Sequence, residues 1–170
     1  MRLTSVMVST LVASSILLSG GIAAAKPTGM DGSYIGAGVS AGVTNGGENN
    51  DAAVLGGNVQ GRYAIPETPV SARGAVLFGG DSTAIMPMLT YDVPIADNTN
   101  VYIGAGYSFV TDEGENSPLG NRDAAVITLG AESEVSDRVV VYGDAKWGID
   151  AYEDSSADAV SLQAGVGLRF

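Results

Sequence analysis

From Gly32 onward, apolar residues recur at every second position, and helical spacing never takes over for a useful length. This period predicts strands at 33–44, 52–65, 70–79, 83–95, 100–110, 124–135, 138–150 and 158–170, eight in all. Turn chemistry separates them: Asn45-Gly46-Gly47, Pro66-Glu67-Thr68-Pro69, Gly79-Gly80-Asp81, Asp97-Asn98 and Ser136-Asp137 supply positive φ, a fixed φ or local side-chain bonds. Longer connections run from Asp112 to Asp123 and from Ala151 to Ala157.

Splitting each strand by parity gives one face free of charge. In the seventh strand Val139, Val141, Gly143, Ala145, Trp147 and Ile149 stand opposite Val140, Tyr142, Asp144, Lys146 and Gly148. The eighth repeats the split, with Val160, Leu162, Ala164, Val166, Leu168 and Phe170 opposite Ser161, Gln163, Gly165, Gly167 and Arg169. Sorted this way, Arg62, Arg73, Asp92, Glu132, Glu134, Asp144, Lys146 and Arg169 share the polar face of the sheet. A Lys or Arg facing lipid at mid-bilayer costs about 2–4 kcal/mol, so a charge-free face is what a membrane requires. Aromatics on that face fall at two levels, Phe78, Tyr107, Phe109 and Trp147 towards one end and Tyr63, Tyr91 and Phe170 towards the other, as interfacial girdles do. Pro87, which removes a ladder donor, is expected to mark an edge or a bulge.

The first, fifth and seventh connections are long and acidic, whereas the second, fourth and sixth are tight; the third is short and breaks the alternation. Membrane barrels keep short turns on the periplasmic side and longer loops outside, and an even strand count puts both ends of the barrel in the periplasm. The expected fold is therefore all-β, an eight-stranded antiparallel up-and-down transmembrane β-barrel. Eight strands enclose a tube just wide enough for side chains to fill. Its four basic and four acidic residues are then expected to pair as a plug, with a charge network in the periplasmic half.

The N-terminus changes where such a fold would work. Met1-Arg2, the apolar run Val6 to Leu18 and Ala23-Ala24-Ala25 before Lys26 have the order of a secretory signal, read here as residues 1–25, cleaved to leave the barrel at 26–170. The run is short for a transmembrane helix, which needs about 20 apolar residues, and Ser9, Thr10, Ser14 and Ser15 interrupt it. With Arg2 removed, seven basic residues stand against nineteen acidic ones, a net charge of −12 that argues against nucleic acid as a partner. There is no cysteine, so disulfides contribute nothing to the stability of this exported chain.

The chain ends Gln163-Ala164-Gly165-Val166-Gly167-Leu168-Arg169-Phe170, and here it resembles outer-membrane barrel proteins. In that family the last strand carries a polar residue, a glycine two later, and apolar residues at the third-last and last positions, the last aromatic. Gln163, Gly165, Leu168 and Phe170 fit those places, and the resemblance implies recognition by the barrel-assembly machinery. Tyr34-Ile35-Gly36-Ala37-Gly38 and Tyr102-Ile103-Gly104-Ala105-Gly106 are similar to strands of small OmpA/OmpX-type and opacity-like barrels. Their spacing of four strands fits duplication of a half-barrel or shared constraints from lipid outside and crowding inside. The peptidoglycan-binding domain that the OmpA class often adds after the barrel has no counterpart before Phe170.

Histidine and cysteine are both absent, which removes the usual neutral-pH base and the strongest nucleophile. Barrel-form proteases, phospholipases and lipid A deacylases, as families, rely on a histidine, so the resemblance points away from an enzyme. Gly36-Ala37-Gly38 is no nucleotide loop, since Ala41 takes the place of the third glycine. The acidic connections, with Asp112, Glu113, Glu115 and Asp123 in one and Asp150, Glu153, Asp154 and Asp158 in another, lack EF-hand spacing and are read as a solvated rim rather than a metal site. No cofactor is expected.

Three functions fit these features. The first is an integral outer-membrane protein of a Gram-negative-type bacterium, in contact with outer-membrane lipids and lipopolysaccharide, with a structural or surface-interaction role. Its candidate partner surface is the set of loops 45–51, 111–123 and 150–158. The second is a narrow channel for small solutes or cations. The third is a soluble periplasmic barrel binding an apolar ligand in lipocalin fashion, its apolar face turned inward.

Overall fold

The protein is described here from a computed structural model, over residues 28–44 and 54–170. The signal segment 1–25 and the connection 45–51 lie outside the described residues. Among the described residues there are eight strands and no helix: β1 (Tyr34–Gly42), β2 (Leu55–Ala64), β3 (Val70–Gly79), β4 (Ser82–Ala96), β5 (Thr99–Val110), β6 (Ala124–Ser136), β7 (Val139–Ile149) and β8 (Ala159–Arg169). Each pairs antiparallel with the next, and β8 returns to β1, from Tyr34 opposite Arg169 to Gly42 opposite Ser161. Closure leaves no strand edge unpaired, which lets a sheet without disulfides stand in a membrane.

The turn residues act as their chemistry demands. Gly80 takes φ +70° in the two-residue link between β3 and β4, and Glu67 takes φ +62° after Pro66 between β2 and β3. Register shifts occur between Pro94 and Ala96 in β4 and between Glu134 and Ser136 in β6, both beside tight turns. The expectation for Pro87 is corrected: it lies opposite Gly74 within the closed sheet. The ladder of β4 with β5 lapses at Met86 and Pro87 but keeps one register on either side, with Ile85 opposite Phe109 and Met88 opposite Gly106. The ring points outward, so the strand loses one donor without slipping.

The faces are inverted relative to a water-soluble protein. Leu89 is 60 % exposed and Leu168 63 %, whereas Glu132 and Lys146 are each 1 % exposed. All the charged residues of the eight strands are the eight that parity sorts together, and all point into the tube. The lipocalin-like alternative is thereby corrected. The aliphatic series runs along the outside, where an aqueous protein would expose it to water.

Candidate functional site: the barrel lumen

The end of the barrel near residue 33 and Phe170 is called here the terminal end, and the opposite one the loop end. The tight turn between β2 and β3 places Arg62 directly opposite Arg73, two like charges side by side. Two carboxylates from other strands hold them, Asp92 on β4 and Glu132 on β6. Arg62 meets Asp92 at 2.7 Å and Glu132 at 3.3 Å, and Arg73 meets Asp92 at 3.2 Å and Glu132 at 2.8 Å, closing a four-membered ring. Buried charges are tolerated when every remaining lone pair and proton is also bonded, and the neighbours do this. Ser71 donates to Asp92, as does Thr90 at 3.1 Å, while Tyr34 donates to Glu132 at 3.1 Å.

The other four charges stand apart from this ring. Lys146 pairs with Asp144 at 2.6 Å further into the tube, and Arg169 pairs with Glu134 at 2.5 Å on the terminal rim, partly in solvent. Neutral side chains join the inner pair to the ring. Tyr102 donates to Asp144 at 2.9 Å while its ring lies under the Arg73 guanidinium at 3.7 Å. Lys146 donates to Gln60 at 3.2 Å, and Gln60 donates to Tyr34, also at 3.2 Å. Charge patterning alone misses Tyr34, Tyr102 and Gln60. The signal that marks the tyrosines is the repeated Tyr-Ile-Gly-Ala-Gly, since each opens one copy and shares the inward parity of its glycines. Glycine at such positions leaves room for rings: a side chain at Gly130 would strike Tyr102, and one at Gly36 would strike Tyr142.

Towards the loop end the lumen changes character, which corrects the expectation of a polar inner face throughout. Ala75, Leu77, Ala84, Met86, Met88 and Val126 form an apolar cluster inside the tube. Side chains from the long connections complete it. Leu119, fully buried, is presented by a turn in which Ser117 Oγ donates to the Gly120 carbonyl at 2.6 Å and accepts from the Leu119 amide at 3.2 Å. Ala151 and Tyr152 enter from the β7–β8 connection, and Tyr152 donates to the Thr44 carbonyl at 3.1 Å. Elsewhere among the inward positions, Ser108, Thr128, Ser161 and the Gln163 amide have no hydrogen-bond partner among the described residues.

The acidic residues of these connections divide by role. Asp123 accepts from the Val110 amide at 2.8 Å and Asp158 from the Asp150 amide at 3.0 Å, so both brace strand ends. Asp150 meets Arg122 at 3.3 Å on the surface. Asp112, Glu113, Glu115, Glu153 and Asp154 are exposed. Among the described residues no group of three or more potential ligands is placed to hold a metal ion.

On the outside, Tyr63, Tyr91 and Phe170 face outward towards the terminal end, and Phe78, Tyr107, Phe109 and Trp147 towards the loop end. In the last strand Gln163 and Gly165 point inward, and Leu168 and Phe170 outward.

Over residues 12–170 the sequence matches the family described as "Outer membrane protein beta-barrel domain". The chain belongs to that family. Solved structures agree in fold. Ail, the attachment invasion locus protein of Yersinia pestis, is 17 % identical with a TM-score of 0.54, the alignment covering 83 % of this chain and 100 % of Ail; it has also been solved with the heparin analogue sucrose octasulfate. Neisserial surface protein A is 16 % identical with a TM-score of 0.58, covering 81 % of this chain and 97 % of its own. OprG from Pseudomonas aeruginosa is 11 % identical with a TM-score of 0.58, covering 85 % of this chain and 99 % of its own. No curated protein matches the chain. At these identities the likeness is one of architecture.

Proposed function

We propose that this outer-membrane barrel is closed along its lumen and works as a structural or surface-interaction protein, through the connections at its loop end. The observation that carries this reading is the filling of both lumen halves: paired guanidinium and carboxylate groups at one end, and packed methionine, leucine and tyrosine side chains at the other. Every charged group inside the tube has an opposite partner, so no uncompensated charge is left to draw ions through. The same pairing engages the inward charged groups among the described residues, and the sequence has no histidine or cysteine, which supports a non-enzymatic role with no cofactor.

In this reading residues 1–25 direct export, residues 26–170 form the barrel, and the terminal end faces the periplasm. The aliphatic outer face meets lipid, and its aromatic rings sit at the two interfaces, the outer one beside lipopolysaccharide. In the same reading Gln163 forms an assembly signal with Gly165, Leu168 and Phe170. Gln163 and Gly165 face inward on the last strand and Leu168 and Phe170 outward, an alternation that supports such a signal. Among the described residues at the loop end, the exposed side chains of Asp81, Asp112, Glu113, Glu115, Glu153 and Asp154 outnumber the single cation Arg122. A sulfated polyanion of the kind bound to Ail would be repelled there, and a cationic partner favoured.

Cysteine substitution tests the placement. In intact cells, Glu113→Cys and Glu153→Cys should react with a membrane-impermeant maleimide, while Asp137→Cys, in the tight β6–β7 turn, should react only after lysis. Labelling of Asp137→Cys in intact cells would overturn the orientation, and recovery of the protein in a soluble fraction would overturn the membrane role.

A further inference from the structure

Residues 28–33, which precede β1, cross the terminal mouth of the barrel. They make contacts that a loosely tethered leader would not. Asn100, inside the mouth, reads one residue of this segment as a neighbouring strand would. Its Oδ1 accepts from the Met30 amide at 3.1 Å and its Nδ2 donates to the Met30 carbonyl at 2.7 Å. Arg62, a member of the charged ring, donates to the Gly32 carbonyl at 2.6 Å, and Arg169 donates to the Asp31 carbonyl at 3.2 Å. The Met30 side chain is buried in a socket with Tyr34, Val140 and Tyr142. Gly29 fixes the approach: it takes φ +73°, its amide donates to the Ala96 carbonyl at 3.1 Å, and any side chain there would strike Pro94 and Asn100.

We propose that the terminal mouth is a peptide-binding cradle, occupied in cis by residues 28–33, and that this segment is a separable stopper over the charged ring. The cradle recognises main chain through Asn100, Arg62 and Arg169, buries one apolar side chain at position 30, and bonds two hydroxyls, Thr28 donating to the Asp97 carbonyl at 3.3 Å and Ser33 accepting from the Ala64 amide at 3.2 Å. Its occupant is therefore an extended segment with a glycine one residue before an apolar residue. Because β1 begins only at Tyr34, the stopper can leave with every pair of that strand intact, at the loss of one ladder-like bond, from the Phe170 amide to the Ser33 carbonyl at 3.1 Å. That the stopper covers a tube already closed rests on the closed-lumen reading; the docking itself does not.

Two positions in the segment provide the test, since Thr28 is exposed and Met30 buried. In the refolded full chain, Met30→Cys should react with an impermeant maleimide at least about tenfold more slowly than Thr28→Cys, as a docked segment must open first. Adding Gly29→Ala should bring the two rates within about twofold, because the segment can no longer seat, while heat-modifiable mobility shows the barrel intact. In the unsubstituted protein, the Met30 amide should exchange with deuterium more slowly than an exposed amide and faster than amides of β1 and β8, because the segment opens without the strands. Equal native labelling rates, a Met30 amide that exchanges as an exposed one, or protection that survives Gly29→Ala would each overturn the stopper. If Met30 is protected but the barrel still conducts ions, the stopper stands and the closed lumen falls.

Discussion

The two halves of the lumen are lined by the same eight strands and filled on opposite principles. At the terminal end, Arg62, Arg73, Asp92 and Glu132 stay buried only because each has two ionic partners, with Ser71, Thr90 and Tyr34 closing the remaining valences. At the loop end, Leu77, Met86, Met88 and Leu119 need no particular partner, only volume. Charge pairing is directional and fails as a unit, whereas apolar packing degrades by increments. The long connections lean on the tolerant half, and the half next to the tight turns carries the specific one.

The largest effect should come from breaking the ring. Arg73→Met leaves Asp92 and Glu132 each short of a cation in a buried site and should cost about 3–5 kcal/mol in urea unfolding of the lipid-refolded protein. Adding Glu132→Leu should restore part of that loss, with a coupling of about 0.5–3 kcal/mol; simple additivity would contradict the pairing of Arg73 with Glu132. In the apolar half, Leu77→Ala should cost about 3 kcal/mol through the cavity it leaves, with no such coupling to the ring charges. Met86→Leu keeps both volume and character and should cost less than about 1.5 kcal/mol by the same unfolding assay. The smallest effect belongs to Arg169→Ala. Its pair with Glu134 is partly in water, so the heat-modification midpoint should shift by no more than about 1 kcal/mol implies.

Much of this architecture is legible in the chain itself. β7 and β8 alternate so regularly that parity assigns every inward and outward residue, and the tight turn at Gly79-Gly80-Asp81 sets one register for all of β3 and its partner β4. The apolar half of the lumen is not legible for a physical reason. In β3 and β4 both faces are apolar there, with Leu77 and Met86 inward and Phe78 and Ile85 outward, so alternation carries no contrast. Leu119 and Tyr152 are hidden too, because their burial depends on connections folding back over a mouth that exists only once the sheet has closed. The ionic residues announce themselves by charge, but who pairs with whom depends on strand stagger. That is why Asp144 meets Lys146 two residues away on its own strand rather than an arginine of the ring.

The central claim is that pairing and packing together leave no continuous path through the tube. Recording from the refolded protein in planar bilayers tests it most directly. The account predicts a flat baseline with no steady conductance across the physiological voltage range. Sustained, well-defined single-channel openings from the unmodified protein would contradict it.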